Sequence, residues 1–267
     1  MNDLYEYRRG HLPLLVNIPH AGIRVPDEIF SRFNDAGRKL PDTDWHVPRL
    51  YDFARDLGAH MLIANYSRYV VDLNRPPDGA NLYHSERSTG LIPDMLFDGS
   101  PLYADENPIS RQEMTHRIDT YWRPYHNKIT EVLGQIKEKY GYALLYDAHS
   151  IASRVPNLFD GTLPDLNLGT ANAESCAPEC GHAISGVIRS SEFTCAVNGR
   201  FIGGYITRHY GRPTQRVHAV QMEIAQVSYM NEADFSYDEN KAARLTPVLR
   251  DVLHAYSAFH NPSKGTR

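Results

Sequence analysis

Cysteine and basic charge are both scarce in this sequence. Three cysteines occur in 267 residues, an odd and low number that argues against a disulfide framework and predicts a reducing, cytoplasmic environment. Acidic residues outnumber basic ones, 32 to 28, which gives a formal net charge of −4. Nucleic acids and anionic membranes attract proteins that carry a basic excess, so we expect neither of them as a partner.

Long apolar runs and nucleotide-binding motifs are also missing. No run approaches the roughly 20 apolar residues of a membrane-spanning helix, and the polar residues 1–10 lack the apolar core of a signal peptide. The chain contains no Gly-x-Gly-x-x-Gly or Walker-type loop and no Gly-x-Ser-x-Gly elbow. Nucleotide binding and a serine nucleophile at Ser150 therefore have no support from motifs.

The sequence does have the composition of a globular enzyme. Hydrophobic residues make up 42% of the chain and charged residues 22%, which is enough apolar material for a sizeable core. A chain of 267 residues is compatible with one large α/β unit, so residues 1–267 are predicted to form a single domain. Short apolar, β-branched runs alternate with helical patterns, which predicts a sheet covered by helices on both faces.

Hydrophobic periodicity predicts where the strands and helices lie. Strands are expected at residues 14–18, 61–66, 69–73, 142–146, 194–197 and 217–224. Helices are expected at residues 47–57, 110–136, 183–189 and 240–259. Ser110 and Glu113 form a capping box, and Pro124 is expected to kink or divide the helix that follows. Residues 151–178 are rich in Gly, Pro, Asn and Asp and are predicted to form a functional loop.

Two histidines follow predicted buried strands at equivalent positions. His20 comes after residues 14–18 and His149 after residues 142–146, where the carboxyl ends of strands form ligand-binding crevices. Imidazole is the commonest zinc ligand, and catalytic zinc usually takes three protein groups. For either histidine alone, a loop residue that bonds to backbone is the favoured interpretation. Together they indicate a metal site, and Asp147 is placed to orient His149 or to form a turn.

The third ligand has several candidates in one short segment, Asp42-Thr-Asp44-Trp-His46. Asp44 is also placed to cap the helix predicted at residues 47–57. A cap and a metal ligand use the same carboxylate oxygens differently, so the two interpretations compete. The spacing alone favours the cap.

Further charged residues lie where they can meet a substrate. Arg75 follows Asn74 after the third predicted strand and can hold a carboxylate or polarise a carbonyl; the alternative is a surface ion pair. Arg208 and Arg212 project from the Gly- and Pro-rich residues 203–213, predicted to be an irregular loop that binds an anion, or else a tight β-hairpin.

Glu223 lies inside an apolar strand, between Met222 and Ile224. Burial would raise the pKa of its carboxyl group towards the range that suits general acid–base catalysis. The alternative is a structural salt bridge. A second possible metal motif, Cys176-x-x-x-Cys180-Gly-His182, lacks a partner at a recognised spacing.

These clusters, in this order and spacing, resemble the N-formylglutamate amidohydrolase (deformylase) family of histidine degradation over nearly the whole chain. The segments that carry the likeness are Asn17-Ile-Pro-His20-Ala-Gly22, Asp42-Thr-Asp44-Trp-His46, Ser67-Arg-Tyr-Val-Val-Asp-Leu-Asn-Arg-Pro-Pro77, Tyr146-Asp-Ala-His149-Ser150, Gly203-Gly-Tyr-Ile-Thr-Arg208 and Gln221-Met-Glu223. The family is distantly similar to the zinc carboxypeptidases and aspartoacylases. The resemblance implies a three-layer α/β/α sandwich with a mixed, mostly parallel central sheet.

The resemblance also implies a single zinc ion on His20 and His149. In carboxypeptidases a glutamate follows the first histidine by three residues, but this position is Ile23 here. The acidic ligand must therefore come from elsewhere, and the resemblance favours Asp44. Asp42 and His46 stay open as alternatives to Asp44, and other divalent metals as alternatives to zinc.

The activity that the resemblance implies is hydrolysis of N-formyl-L-glutamate, a small dicarboxylic N-acyl amino acid, to formate and glutamate. Glu223 would act as the general acid–base group. Asn74 and Arg75 would engage the substrate, and Arg75 would stabilise the oxyanion or hold a carboxylate. Arg208 and Arg212 would bind the remaining carboxylate. The alternatives are deacylation of another N-acyl amino acid and a metal-binding homologue without catalysis.

Overall fold

The computed structural model describes residues 3–80, 89–105 and 107–259. Within these ranges the strands are β1 Tyr5–Arg8, β2 Leu14–Ile18, β3 His60–Ala64, β4 Ala143–Ile151, β5 Leu166–Gly169, β6 Cys195–Val197, β7 Val217–Ala225, β8 Met230–Asn231 and β9 Ser236–Tyr237. The first seven form one sheet in the order β1-β3-β2-β4-β7-β5-β6. Its four central strands are parallel, whereas β1 and β5 run antiparallel to their central neighbours.

Helices cover both faces of this sheet. They are α1 Asp27–Phe30, α2 Val47–Leu50, α3 Ala54–Leu57, α4 Arg111–Arg117, α5 Arg123–Tyr140, α6 Pro178–Arg189, α7 Tyr205–Tyr210 and α8 Glu239–Ser257. Helices α2, α3, α6 and α8 pack on one face, and α5 and α7 pack on the other. The predicted three-layer α/β/α sandwich with a mixed, mostly parallel sheet is confirmed. In the described part of the chain, no helix has the length and apolarity needed to cross a membrane.

Alternation of side chains along the strands decides which residues reach the site. In β4, Leu144 and Tyr146 pack against the layer of α6 and α8, whereas Leu145 packs against α5. Side chains of the α5 face become polar towards the carboxyl ends of the strands. Those polar residues are Asn17 on β2, Asp147 and His149 on β4, and Gln221 and Glu223 on β7. Three neighbouring parallel strands thus present one polar patch at their carboxyl ends.

Some predicted strands differ in the structure. Residues 69–73 are not a strand: the N–H of Val70 bonds to the Ser67 carbonyl in a turn, and Tyr69 and Val70 pack into a separate cluster. These residues are buried, so their sequence is as apolar as that of a strand although they pair with no strand. Strand β4 continues to Ile151, so His149 lies within the strand rather than after it. The sequence analysis missed β1, which is only partly buried, and β5, which lies in the predicted loop 151–178.

The predicted helices also differ in detail. The N–H of Glu113 donates to Ser110 Oγ at 3.1 Å, which confirms the predicted cap of α4. The interruption predicted at Pro124 occurs just before it, as a π-helical stretch at Ile118–Trp122. Residues 47–57 form two short helices, α2 and α3, and Gly58 ends the second with φ of +92°. Residues 203–213 contain helix α7, so the expected irregular loop was wrong.

Leu249 on α8 is completely buried in the core between this helix and the sheet. Leu249→Ala removes its packing contacts and leaves a cavity, so we expect the free energy of unfolding to fall by about 2–5 kcal/mol. Chemical denaturation followed by circular dichroism measures this change. Met114→Ala, at a partly exposed position of α4, is the control and should change it by about 0.5 kcal/mol or less. An equally small loss in both variants would contradict the packing of α8.

Candidate metal and active site

His20, Asp44 and His149 converge in the interior of the protein. One candidate ligand atom from each side chain lies within 4.8 Å of the others, and the two imidazole centroids are 4.8 Å apart. Asp44 Oδ2 is 3.1 Å from His149 Nδ1 and 3.9 Å from His20 Nδ1. The structure therefore brings together the two histidines and the carboxylate that the resemblance implied. This buried group is able to hold a metal ion.

The sheet and one backbone contact set these positions. Strands β2 and β4 are paired in parallel, so His20, just after β2, lies beside His149 at the end of β4. Asp44 lies in the segment before α2, and its N–H donates to the His20 carbonyl at 3.1 Å. This backbone hydrogen bond ties the Asp44 segment directly to the end of β2. Residues distant in sequence thereby share one small volume.

A second carboxylate binds the far nitrogen of each ring. His20 Nε2 lies 2.7 Å from Asp72 Oδ1, and His149 Nε2 lies 3.0 Å from Asp147 Oδ2. Because a carboxylate accepts, Asp72 and Asp147 each hold an N–H on Nε2, and Nδ1 of both rings faces Asp44. Nδ1 is therefore the ring atom available to a metal, once His149 has lost the second proton that it shares with Asp44. Of the two roles considered for Asp147, orientation of His149 is therefore the one that the structure supports.

These orienting carboxylates are themselves held by buried donors. Asn17 donates to Asp147 Oδ1 at 2.7 Å, and Tyr125 on α5 donates to Asn17 Oδ1 at 2.7 Å. Asp72 accepts from Arg68 Nη2 at 2.7 Å and from the N–H of Asn74 at 2.8 Å. Each imidazole is thus the last member of a hydrogen-bonded chain that fixes its ring plane.

Asp44 has the environment of a ligand rather than of a helix cap. The N-cap of α2 is His46, and no side chain caps that helix. Asp44 Oδ1 is buried without a hydrogen-bond partner; its nearest cation, Arg68 Nη1, is 3.9 Å away, so a closer cation would be favourable. The alternatives have other contacts: Asp42 accepts from the N–H of Phe97 at 2.9 Å, and His46 Nε2 donates to the Phe235 carbonyl at 2.7 Å. The donor set of two imidazoles and a carboxylate fits a divalent metal such as zinc.

The two imidazoles differ in their proton affinity. Burial and the nearby Arg68 lower the pKa of His20, which favours the neutral ring that metal ligation requires. Burial acts in the same direction on His149, but the Asp147 and Asp44 carboxylates outweigh it and raise the pKa. A cation that binds here must therefore displace a proton from His149.

A cavity opens beside this group. Its lining consists of His20, Arg68, Asn74, Arg75, Thr89, Phe97, His149, Ser150, Ile151, Leu158, Arg200, Phe201, Gly204, Gln221 and Glu223. Three of these residues are arginines, and Glu223 is the single carboxylate that lines the cavity among residues 3–80, 89–105 and 107–259. The excess of positive charge suits an anionic small molecule.

Glu223 faces this cavity from β7. Glu223 is 7% exposed and lies opposite His149 in the register of β4 and β7. Burial raises the pKa of Glu223 to about 8, although the neighbouring His149 partly lowers it. Gln221 Nε2 donates to its Oε2 at 3.2 Å, and the described residues include no lysine or arginine within ion-pair distance of it. These surroundings do not support the alternative of a structural salt bridge.

Asn74 and Arg75 also line the cavity. Asn74 Nδ2 is 3.1 Å from His149 Nε2, and its Oδ1 accepts the N–H of Ile206 at 2.8 Å. Arg75 is held in place by Thr89, with Nε 2.8 Å from the Thr89 carbonyl. The Arg75 carbonyl in turn accepts from Trp122 Nε1 at 2.9 Å, so the π-helical stretch supports this wall.

Arg208 and Arg212 lie outside the lining of the cavity. Arg208 Nε donates to the Gly203 carbonyl at 2.8 Å, and Arg212 is exposed, with Nη1 2.9 Å from the Gly211 carbonyl. Their role in binding a substrate carboxylate stays a prediction.

The sequence analysis gave no role to Arg68, Arg200 or Gln221, which line the cavity, or to Asn17, which orients Asp147. Asn17 and Gln221 interrupt apolar strands, which is the same signal that identified Glu223. Arg200 lies between β6 and α7 and has no comparable local pattern.

The rival sites find no support in the structure. Cys176 and Cys180 are buried in the hydrophobic core and belong to no group of three or more possible metal ligands within the described residues. Ser150 Oγ accepts from Tyr229 Oη at 2.8 Å and is not hydrogen-bonded to His149.

Comparison with known proteins gives a consistent result. Residues 12–230 match the family model of N-formylglutamate amidohydrolase. The chain is 49% identical over 261 residues to an N-formylglutamate deformylase of Pseudomonas aeruginosa, covering 97% of this chain and 98% of that protein. It is 47% identical to one of Pseudomonas putida, covering 97% of each chain. A crystal structure of an N-formylglutamate amidohydrolase from Ralstonia eutropha JMP134 shares the fold, with a TM-score of 0.82 at 24% identity over 95% of this chain and 97% of that one.

Gly204 lies in close contact with Asn74. A Cβ atom at Gly204 would be 2.3 Å from Asn74 Nδ2, and the φ of −83° is open to alanine, so contact rather than backbone strain decides the effect. We expect Gly204→Ala to lower the free energy of unfolding by about 1–3 kcal/mol because Asn74 must move. Thermal and chemical denaturation measure this loss.

Gly186→Ala within α6 is the matched control, because an added methyl group meets no atom within 4 Å there. It should leave stability unchanged or raise it by about 0.5–1 kcal/mol. Wild-type stability in Gly204→Ala would contradict the close packing of Gly204 against Asn74.

Proposed function

Since the chain belongs to the N-formylglutamate amidohydrolase family, we propose that it hydrolyses the formamide bond of N-formyl-L-glutamate to give L-glutamate and formate. The observation that carries this proposal is the buried group of His20, Asp44 and His149 beside an arginine-lined cavity. Such a cavity suits a small dicarboxylic N-acyl amino acid, and the two Pseudomonas relatives are named for this reaction.

We assign one zinc ion to His20, Asp44 and His149. Asp44 Oδ1, which accepts no hydrogen bond, and the orientation of both Nδ1 atoms towards Asp44 support this assignment. Bound zinc would supply Lewis-acid chemistry, lowering the pKa of a water molecule to about 7 and polarising the formyl carbonyl. Asp72 and Asp147 would hold the two imidazoles in the tautomers that this ligation needs.

Glu223 is assigned the proton transfers. Its carboxylate would accept a proton from the attacking water, whose oxygen bonds to the formyl carbon. It would then deliver this proton to the amine nitrogen of glutamate as the carbon–nitrogen bond breaks. Its burial beside His149 and the cavity supports this role, because a carboxyl group of raised pKa can both accept and donate a proton near neutral pH.

Asn74 and Arg75 are assigned to substrate binding. Arg75 lines the cavity and is held in place by Thr89. Its guanidinium would hold a substrate carboxylate or stabilise the oxyanion. Asn74, fixed by the N–H of Ile206, would bind beside it. Asn74 lies 3.1 Å from the His149 ring and its carbonyl accepts from Arg75, so the proposed substrate and metal sites share one wall.

Metal analysis combined with formate release tests this proposal. We expect the purified protein to contain stoichiometric zinc and to release formate from N-formyl-L-glutamate in preference to N-acetyl-L-glutamate. Chelation should abolish turnover, and added zinc should restore it, because the assigned chemistry depends on the ion. Undiminished formate release from metal-free protein would contradict the zinc assignment, and no release at any metal loading would contradict the substrate.

Variants of the three ligands refine the same experiment. His149→Ala and Asp44→Ala should lose most of their zinc, as measured by elemental analysis after dialysis. His46→Asn and Asp42→Asn are the controls, since both side chains bind other groups, and they should retain zinc. Loss of zinc in a control but not in Asp44→Ala would move the acidic ligand to another residue.

Glu223→Gln tests the proton-transfer role. The amide keeps the shape of the side chain but cannot accept the proton, so we expect kcat to fall by about 10²- to 10⁴-fold while zinc stays bound. Steady-state kinetics and metal analysis on the same sample measure both effects. Glu179→Gln, an exposed charge removal in the first turn of α6, is the control and should keep wild-type turnover. Full activity in Glu223→Gln would reject this role.

A further inference from the structure

Arg200 differs from the other two arginines of the cavity in having no protein partner. Arg68 is paired with Asp72, and Arg75 is hydrogen-bonded to Thr89. Arg200 forms no hydrogen bond or ion pair with the described residues, and its Nε is buried. Its guanidinium carbon lies 5.7 Å from the centroid of the Phe201 ring.

The half-buried Arg200 guanidinium meets no counter-charge among the described residues. The wall near it is apolar: Phe201 packs against Phe159 with ring centroids 6.1 Å apart, and both belong to a cluster with Ile151 and Leu158. The guanidinium is partly desolvated at Nε beside this wall and gains no counter-charge there. An anionic ligand in the cavity would restore that balance, and the planar donor fork of arginine fits a carboxylate in two-point contact.

We propose that Arg200 binds the side-chain carboxylate of the substrate and thereby makes the site selective for dicarboxylic N-acyl amino acids. This inference rests on the proposed function, since it concerns the same cavity. Arg75, on the wall shared with Asn74 and His149, is then left for the carboxylate or the carbonyl next to the scissile bond. The apolar residues Phe97, Leu158 and Phe201 would contact the methylene groups between the two ends.

A comparison of charged and neutral substrates tests the assignment. N-formyl-L-glutamate and N-formyl-L-glutamine have nearly the same shape and differ in the charge of the side chain. For Arg200→Met we expect kcat/KM for N-formyl-L-glutamate to fall by about 10- to 100-fold, mainly through KM. The kcat/KM for N-formyl-L-glutamine should change by less than about threefold, because its neutral amide forms no ion pair with Arg200 that the substitution could remove. Arg200→Lys should recover part of the preference.

Arg189→Met is the matched control, because this arginine is exposed at the end of α6 and lies outside the cavity lining. It should keep the wild-type preference for the charged substrate. The inference is overturned if Arg200→Met lowers kcat/KM for both substrates equally. It is also overturned if Arg212→Met, at an arginine to which the family resemblance assigned this carboxylate, loses the preference instead. It is also overturned if the wild type hydrolyses both substrates equally well, an outcome that leaves the proposed hydrolysis intact.

Binding of glutarate, a dicarboxylate without a scissile bond, separates this inference from the proposed function. Calorimetry should show that Arg200→Met weakens glutarate binding by about 10- to 100-fold relative to the wild type and to Arg189→Met. This measurement does not need turnover. If the wild type releases no formate, the proposed function fails while the glutarate result still decides the role of Arg200. Equal glutarate affinity in wild type and Arg200→Met rejects it.

Discussion

Parallel pairing holds the polar ends of β2, β4 and β7 in one register. Asn17 lies opposite Asp147, Asp147 opposite Gln221, and His149 opposite Glu223. Because side chains alternate along a strand, a shift of one residue would turn this whole polar set into the apolar layer of α6 and α8. The continuous apolar packing of both faces below the site therefore fixes the position of each functional group above it. Histidine orientation, cavity shape and the place of Glu223 all follow from this register.

The buried polar groups of the site are stable only as a connected set. Asp72 accepts from Arg68, from the N–H of Asn74 and from the His20 ring, so three protein donors meet its charge. These contacts offset the burial of its charge and hold the pKa of Asp72 well below its usual range. Asp44 is the exception, because its buried Oδ1 accepts no hydrogen bond and lies 3.9 Å from the nearest cation, Arg68 Nη1. The carboxylate that faces both Nδ1 atoms therefore keeps one oxygen without a hydrogen bond.

Much of the fold was predictable from the sequence because buried parallel strands read as apolar runs. The positions of His20 and Glu223 followed from the same runs, whose ends and interruptions are visible locally. Asp44 required the family resemblance, since spacing alone favoured a helix cap and nothing local reports its approach to His149. Arg200 was missed for a similar reason: it reaches the cavity only through the path of the chain between β6 and α7. Contacts between residues distant in the chain produce no periodic pattern in the sequence.

The π-helical stretch at Ile118–Trp122 sets the rotational phase of α5 relative to α4. One extra residue in this turn rotates the side chains of α5 by about 100° about the helix axis, compared with a regular α-helix. In this phase Trp122 reaches the Arg75 carbonyl while Tyr125 reaches Asn17. Loss of a single residue there would give a more regular helix whose side chains point away from both. The irregular turn thus allows one continuous helical segment to support two parts of the site, the Arg75 backbone and the Asn17 side chain.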